Sequence, residues 1–473
     1  MQQGSALNVT ALPGGGKDRG GYRPAMEQSV PADEVIRDLL RSAWIIESAR
    51  AAVYSRWAEQ GDPARNQASR DRAAARAGIV ASTLAERGFP TDPAIVEAHA
   101  RWMHALGGER LGEVVLGPFF IARLGDWVDG HASGFVTDPV TLKRLGEEER
   151  DSLEFPSELP PAPPYEPVAE IPVTPPGEVS FRFGILADLH FGSPTGERMA
   201  RAAIADLNRS GAELVIQLGD ITDHGDKWEF ELALGALKEL EMPYATMMGN
   251  HDVLSKEEGR LSGREYYPAS FEREPDGVIL EHKGFRFAVL DSVMHAASPY
   301  SDFNIATGAF IEGPGGAIVR GALTDPQHEI LAEVATPGGP PAFVFLHHPP
   351  QPFTAFPPVL FGLRDEDSGR LHATVDSGNV WGVFAGHTHR NARTRDYDGI
   401  HPSRRVPAHE VAIPRDYPFG YGLVDVSEAG YAYRFVQISD EELLRDAYQS
   451  AGQIHRRYGL GAPEERAFVW TRS

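Results

Sequence analysis

Residues 181–190 read FRFGILADLH, and this stretch decides the fold of the chain. Its first seven residues form a short apolar run typical of a buried strand, and Asp188 and His190 follow where the run ends. Residues 197–209 and 227–240 show helical patterning between this run and the next two. Alternating strands and helices of this kind, followed by further short strands, predict an α/β fold of mixed sheets with helices outside.

Polar side chains follow four further apolar runs in the same way. The runs end in Gly219-Asp220-Ile221-Thr222-Asp223, Gly249-Asn250-His251-Asp252, His347-His348-Pro349 and Gly386-His387-Thr388-His389. A single Asp or His at a strand end is usually a turn former. Five such ends in order are better explained by one site, because ligands bind beyond the carboxyl ends of the strands in open α/β sheets. Imidazole nitrogen and carboxylate oxygen suit Fe, Mn, Zn or Co.

The order D-x-H, G-D-x-x-D, G-N-H-D, H-x-P and G-H-x-H, over residues 180–440, resembles the calcineurin-like metallophosphoesterase superfamily. The resemblance implies a four-layer α/β/β/α sandwich with mixed sheets and two divalent or trivalent metal ions. It implies a first metal position formed by Asp188, His190 and His389, a second formed by Asn250, His347 and His387, and a bridging Asp220.

The same resemblance implies roles for the neighbouring residues. His251 would protonate the leaving oxygen or stabilise the developing charge. Asp223 would hydrogen-bond His251 and fix its tautomer, so both count with Asn250 as predicted catalytic residues. His348, Asp252 and Arg390 are expected to support the ligands or to face the substrate. A structural role for His348 and a turn-capping role for Asp252 stay open.

The reaction implied by the resemblance is hydrolysis of a phosphate ester by in-line attack of a metal-bridging hydroxide. HHPP at 347–350, LDS at 290–292 and GALTDPQHEILAE at 321–333 resemble the class III cyclic-nucleotide and glycerophosphodiester phosphodiesterase group most closely. We therefore expect a hydrolase of small-molecule phosphodiesters or monoesters, with diesters preferred. Two alternatives stay open: a non-catalytic binding scaffold on the same fold, and a nuclease that acts on DNA or RNA.

Composition narrows the function further. The chain has 473 residues and no cysteine, which excludes disulfides, thiolate zinc sites and cysteine nucleophiles. Its formal net charge of −22 disfavours nucleic-acid polymers and anionic membrane surfaces as partners. No run approaches the ~18 apolar residues of a membrane span, and the first thirty residues lack the apolar core of a signal peptide. We therefore expect a cytoplasmic protein whose substrate is a small phosphate ester.

Five segments are predicted along the chain. Nine prolines between Pro156 and Pro176 favour extended polyproline backbone and a semi-rigid connector. The helical patterning before it predicts an all-α, bundle-like module for docking or homo-oligomerisation. The segments are a disordered lead (1–30), the helical module (31–150), the Pro-rich linker (151–179), the metallophosphoesterase domain (180–440) and a C-terminal helical tail (441–473).

Overall fold

The computed structural model describes residues 8–10, 63–86, 164–253, 263–271, 277–293, 303–304, 309–310, 321–350, 362–394, 406–450 and 459–472, with single positions at 88 and between 44 and 55. Most of the predicted helical module (31–150) lies outside the described residues. In the described part of the chain, no helix is both long enough and apolar enough to cross a membrane.

Two mixed sheets form the centre of the fold. In the first sheet the three strands that carry the first three motifs run parallel, and the remaining strands are antiparallel. Its strands in spatial order are β4 (Tyr244–Ala245), β3 (Leu214–Gln217), β2 (Val179–Leu186), β13 (Gly420–Ser427), β14 (Gly430–Gln437) and β15 (Ala467–Thr471).

The second sheet has four parallel strands in its middle and antiparallel strands at its edges. Its strands in spatial order are β1 (Asn8–Thr10), β5 (Val278–His282), β6 (Phe285–Val289), β9 (Ala342–Leu346), β10 (Val380–Ala385), β12 (Ala408–Glu410) and β11 (Ala392–Thr394). A separate two-stranded pair consists of β7 (Phe303–Asn304) and β8 (Ala309–Phe310).

Helices cover the outer face of each sheet. The first sheet packs against a helical layer, and the second sheet against another, in two separate apolar clusters. The helices on the first sheet are α2 (Gly196–Arg209), α3 (Lys227–Leu237), α4 (Gly263–Phe271) and α7 (Glu441–Ser450); those on the second are α5 (Asp325–Val334) and α6 (Asp365–Ser377). The predicted four-layer α/β/β/α architecture is therefore confirmed.

Aromatic side chains fill the space between the two sheets. The ring of Phe183 lies edge-on to Phe343 and Phe345, at centroid distances of 5.2 and 5.9 Å. Along β2, Phe181, Phe183 and Ile185 point into this layer, while Leu186 packs on the helical side. Successive strand residues point to opposite faces, so a strand that is apolar on both sides must be covered on both sides. The burial of β2 in this way holds the Asp188 loop on a rigid support.

The C-terminal segment corrects one prediction. The sequence predicts a helical tail over 441–473, and α7 and a short helix α8 (Pro463–Arg466) are present, but Ala467–Thr471 forms the strand β15. This strand pairs antiparallel with β14 and places Phe468 against Tyr433, with ring centroids 5.3 Å apart. Its residues AFVWT are aromatic and β-branched, which favours a strand. The sheet therefore includes residues beyond the predicted boundary at 440.

The described half of the predicted linker packs on the sheet domain. The Val168 N–H donates to Gln437 Oε1 at 2.9 Å, and the Tyr165 ring meets Tyr448 edge-on at 5.5 Å. Glu170 forms an ion pair with Arg434 at 3.1 Å. Residues 164–178 are thus anchored along the domain surface and do not act as a free spacer, whereas 151–163 lie outside the described residues.

Two N-terminal elements are described. In the predicted disordered lead, Asn8–Thr10 forms β1 and pairs with β5, which corrects the prediction for these three residues; Val9 and Thr10 are β-branched. The helix α1 (Pro63–Glu86) lies within the predicted helical module. Gly88 has a φ of +75°, a conformation that favours glycine after a helix end.

Candidate metal centre

The five predicted loops meet at one edge of the two sheets. The strands β2 and β3 run parallel in one sheet, and β9 and β10 run parallel in the other, so their carboxyl ends supply neighbouring loops. The predicted ligands have almost no exposed surface, apart from His389, whose side chain is 17 % exposed. The structure brings together all seven: Asp188, His190, Asp220, Asn250, His347, His387 and His389.

Four of these side chains form a first cluster. Asp188, His190, Asp220 and His389 each place one potential ligand atom within 4.8 Å of the others. His190 Nε2 and His389 Nε2 face each other at 3.1 Å, and His389 Nε2 is 3.6 Å from Asp188 Oδ1. The Asp188 carboxylate is held in place by the backbone N–H of His387, which donates to both of its oxygens at 2.8 and 3.0 Å.

The second cluster contains His347, His348 and His387, again within 4.8 Å of one another. His347 Nε2 lies 2.9 Å from Asn250 Oδ1 and 3.5 Å from Asp220 Oδ1. The other carboxylate oxygen of Asp220, Oδ2, is 3.8 Å from His190 Nε2 in the first cluster. Asp220 therefore presents one oxygen to each cluster, as a bridging ligand would.

The nitrogen and oxygen atoms of the candidate ligands are arranged to bind cations, because atoms that carry lone pairs face one another without a proton between them. His190 Nδ1 contacts Asp223 Oδ1 at 3.0 Å and His389 Nδ1 contacts Asp416 Oδ2 at 2.8 Å, so each Nδ1 carries the proton. The two facing Nε2 atoms then both present lone pairs, at 3.1 Å from each other. His347 Nδ1 likewise donates to the Leu218 carbonyl at 2.8 Å, which turns its Nε2 lone pair toward the Asn250 carbonyl oxygen. A bound cation would satisfy both arrangements.

The electrostatics of the cluster support the same conclusion. Burial raises the pKa of Asp188 well above its usual range, and the nearby Asp220 carboxylate raises it further. Burial also lowers the pKa of His190 and of His347, which keeps both imidazoles neutral. Neutral imidazole is the form that binds a metal, and a cation would reverse the penalty on buried carboxylates.

The backbone of these loops is strained at the candidate ligands. Asp188, His190, Asp220, His387 and His389 all have φ between +45° and +70°, in the left-handed region that residues other than glycine seldom adopt. Such strain concentrates at functional sites, where the surrounding structure holds it in place. A Cβ on Gly249 would lie 2.1 Å from the Asp220 backbone nitrogen, so glycine there permits the close approach of two of the loops.

The structure gives the contacts of two predicted neighbours, Asp223 and Arg390. The Asp223 carboxylate does not fix His251; it binds His190 Nδ1, and His251 Nδ1 donates instead to the Asp223 backbone carbonyl at 2.8 Å. Arg390 was expected to support the ligands or face the substrate. Its guanidinium is buried on Glu410, with contacts of 2.8 and 3.1 Å, so it braces the loop that carries His387 and His389.

The sequence alone does not decide between a structural and a functional role for His348 and Asp252. His348 is fully buried beside His387, with ring centroids 4.6 Å apart, and its Nδ1 lies 2.9 Å from Ser292 Oγ. Asp252 clamps two loops, since its carboxylate accepts the backbone N–H groups of Ile221, Thr222 and Gly249 and the Thr222 hydroxyl. These contacts are those of a carboxylate that caps the two turns.

Asp252→Ala is expected to lower the free energy of unfolding by about 2 kcal/mol, because three buried N–H groups and a hydroxyl lose their acceptor. Burial and then repulsion from Asp220 raise the pKa of Asp252 to about 7. The substitution also removes this repulsion, which offsets part of the stability lost with the hydrogen bonds. Thr222→Val removes one of the four contacts to Asp252 and also the acceptor of the Gly225 N–H, and should cost about 1–2 kcal/mol. Urea unfolding of both variants measures the change in the free energy of unfolding. An unchanged midpoint for Asp252→Ala would contradict a role of the carboxylate in holding the two loops together.

The sequence reasoning missed Arg415 and Asp416. Asp416 binds His389 Nδ1, and Arg415 Nη1 donates to Asp223 Oδ1 at 3.1 Å. The signal was present, because Val411–Ile413 is an apolar run that ends shortly before this charged pair, as at the other five loops.

Comparison with known proteins agrees with the site. Residues 181–391 match the family model described as calcineurin-like phosphoesterase. A protein of Xenorhabdus bovienii, named a probable cyclic nucleotide phosphodiesterase, is 28% identical over 111 residues, which are 21% of this chain and 45% of that protein. The match thus spans under half the length of this relative.

Solved structures with a similar chain path include two phosphatases. A dimetal phosphatase from Danio rerio is 16% identical, with a TM-score of 0.39, over 55% of this chain and 98% of that chain. The purple acid phosphatase PPD1 of yellow lupin, Lupinus luteus, is 15% identical, with a TM-score of 0.39, over 56% of this chain and 53% of that chain.

Proposed function

From the match of residues 181–391 to the calcineurin-like phosphoesterase model, we propose that the chain hydrolyses small phosphate esters at a two-metal centre. The observation that carries the proposal is that atoms with lone pairs face each other in both clusters. His190 Nε2 faces His389 Nε2 in the first cluster, and His347 Nε2 faces Asn250 Oδ1 in the second. The ligands would be Asp188, His190 and His389 at one position, Asn250, His347 and His387 at the other, and Asp220 between them.

When bound at these positions, two cations would supply Lewis-acid neutralisation of the phosphate charge and a water molecule acidic enough to serve as the nucleophile. The chain's own groups do the rest. Hydrogen bonds to Asp223, Asp416 and the Leu218 carbonyl orient the imidazoles of His190, His389 and His347. The Asp188 carboxylate is oriented by the backbone N–H of His387, which donates to it. Fe, Mn, Zn and Co all suit this donor set.

His251 is proposed as the proton donor to the leaving oxygen. Its Nδ1 donates to the Asp223 carbonyl at 2.8 Å, and its ring centroid lies 4.7 Å from that of His190. With Nδ1 engaged in this way, a proton on Nε2 is the one available for transfer. The backbone N–H of His251 donates to Asp220 Oδ1 at 2.8 Å, which places the ring beside the metal positions.

The substrate class is proposed as small phosphodiesters, cyclic nucleotides among them, ahead of monoesters. The similarity to a probable cyclic nucleotide phosphodiesterase supports the diester preference. The net charge of −22 supports a small substrate over a polyanion. The cytoplasmic location and the homo-oligomeric state stay predictions of the sequence.

A substrate panel tests this function. Purified chain is loaded with Mn, Fe, Co or Zn and assayed on bis(4-nitrophenyl) phosphate, 4-nitrophenyl phosphate, cyclic nucleotides, glycerophosphodiesters, and single- and double-stranded DNA. We expect metal-dependent turnover that is fastest on a small diester. A chain that binds two ions and hydrolyses none of these compounds would be the binding scaffold, and faster cleavage of DNA would make it a nuclease.

Metal binding is also expected to stabilise the fold. Each site that is saturated at 100 times its Kd adds about 2.7 kcal/mol to the free energy of unfolding. For a domain of this size that corresponds to a rise in Tm of roughly 5–10 °C. Differential scanning fluorimetry with and without a chelator measures it. An identical Tm with EDTA and with excess Mn or Zn would contradict a buried site of this kind.

A further inference from the structure

One arginine joins the two carboxylates that orient the histidines of the first metal position. Arg415 Nη1 lies 3.1 Å from Asp223 Oδ1, and Arg415 Nε lies 3.5 Å from Asp416 Oδ1. Asp223 and Asp416 in turn hold the Nδ1 atoms of His190 and His389. The five side chains therefore form a closed ring, His190–Asp223–Arg415–Asp416–His389, which closes where the two Nε2 atoms meet at 3.1 Å.

The guanidinium group is suited to this place. It is planar and presents a fixed fork of donors, so it can hold two carboxylates at a set angle, which the single charge of lysine cannot do. The side chain is 17 % exposed, and both carboxylates it contacts are mostly buried. The contact links the loop after β3 to the segment after β12, which are 192 residues apart in the chain.

We propose that Arg415 is a positioning residue for the first metal position: by tying Asp223 to Asp416 it fixes the relative orientation of the His190 and His389 imidazoles. The proposal rests on the proposed two-metal function. If only charge mattered, loss of the Arg415 guanidinium would strengthen metal binding, because a positive charge would leave a cluster of carboxylates. If positioning matters, the same loss weakens metal binding. Geometry and charge can therefore be separated by experiment.

The test compares Arg415→Met and Arg415→Lys with the wild-type chain. Each protein is freed of metal, titrated with Co²⁺ against a competing chelator, and followed by its visible d–d absorption, which reports the geometry around the ion. We expect both variants to bind one of the two ions about 10-fold more weakly, because Arg415 acts through Asp223 and Asp416, and the loss of a direct partner of a ligating histidine costs about 10–100-fold. We also expect an altered Co²⁺ spectrum, with the smaller change in Arg415→Lys.

Arg434→Met is the matched control. Arg434 also joins two carboxylates, Asp425 at 2.5 Å and Glu170 at 3.1 Å, and its side chain is 13 % exposed, but it lies in the sheet and away from the candidate ligands. This variant is expected to unfold at a lower temperature while it keeps the wild-type Co²⁺ affinities and spectrum.

Three results overturn the inference. They are wild-type affinities and spectrum in both Arg415 variants, tighter binding in Arg415→Met, and the same loss of Co²⁺ in Arg434→Met as in Arg415→Met. Failure of the proposed function is a different result, since the wild-type chain would then bind no pair of ions in the same titration.

Discussion

Asp220→Asn is expected to lower the turnover of an aryl phosphodiester by at least about 10³-fold and to leave the purified chain with fewer than two metal ions. The reason is that the two Asp220 oxygens face different histidines, His347 at 3.5 Å and His190 at 3.8 Å. An amide of the same shape offers one oxygen and no charge. Elemental analysis for metal per chain and kcat on bis(4-nitrophenyl) phosphate measure the two effects.

In the metal-free protein the same substitution is expected to change stability little, because two effects oppose each other. Burial and then the Asp220 charge raise the pKa of Asp188 and of Asp252, and removal of that charge relieves both carboxyl groups. Although burial acts to raise the pKa of Asp220 itself, its histidine neighbours and the His251 backbone N–H lower it on balance, and this attraction is lost. We therefore expect the Tm of the metal-free protein to shift by less than about 4 °C.

Asp206→Asn provides the matched control for Asp220→Asn. Asp206 is also a buried carboxylate, and it accepts the Ser439 N–H and hydroxyl at 2.7 Å each, on the helical side of the first sheet. Its substitution should lower the Tm and leave metal content and kcat unchanged. An Asp220→Asn enzyme with two ions and normal kcat would contradict the bridging role.

His251→Gln is expected to lower kcat by about 10²–10⁴-fold while both ions stay bound. The His251 ring lies beside His190. The hydrogen bond from the His251 backbone N–H to Asp220 does not depend on the side chain at this position. Because the proposed task of His251 is to protonate the leaving oxygen, the loss should be larger for an alkyl leaving group than for 4-nitrophenol, which leaves without a proton. Steady-state kinetics on the two substrates measure the difference.

His328→Gln is the control for this variant. His328 is buried, its Nε2 lies 2.9 Å from Asp367 Oδ1, and the pair joins α5 to α6 outside the metal centre. The change should affect stability and not kcat. Equal losses for both leaving groups in His251→Gln, or a loss of metal from that variant, would contradict the role of His251 as proton donor.

The motifs could be predicted from sequence because their information is local. Each candidate ligand lies within a few residues of the end of an apolar run, and parallel strands bring such ends to one edge. The partners of those ligands could not be predicted in the same way. Whether Asp223 contacts His251 through its carboxylate or its backbone carbonyl depends on how the two loops pack, and in the structure the carbonyl makes the contact.

The ends of the domain show a second difference between pattern and structure. Residues 441–450 are helical as predicted, but 467–471 return to the first sheet as β15. A five-residue strand at an edge becomes stable only through the ladder that it forms with β14 and the packing of Phe468 on Tyr433. The boundaries of the other predicted segments stay predictions.

By itself, the sequence determined the α/β class, the order of the five loops and a donor set of oxygen and nitrogen without sulfur. These follow from apolar runs, their spacing and the absence of cysteine. Only the tertiary structure decided which carboxylate orients which histidine, where Arg390 and Arg415 place their charges, and how the domain ends. Those contacts join residues about 20 to 192 positions apart, so they depend on how the two sheets and their loops pack together.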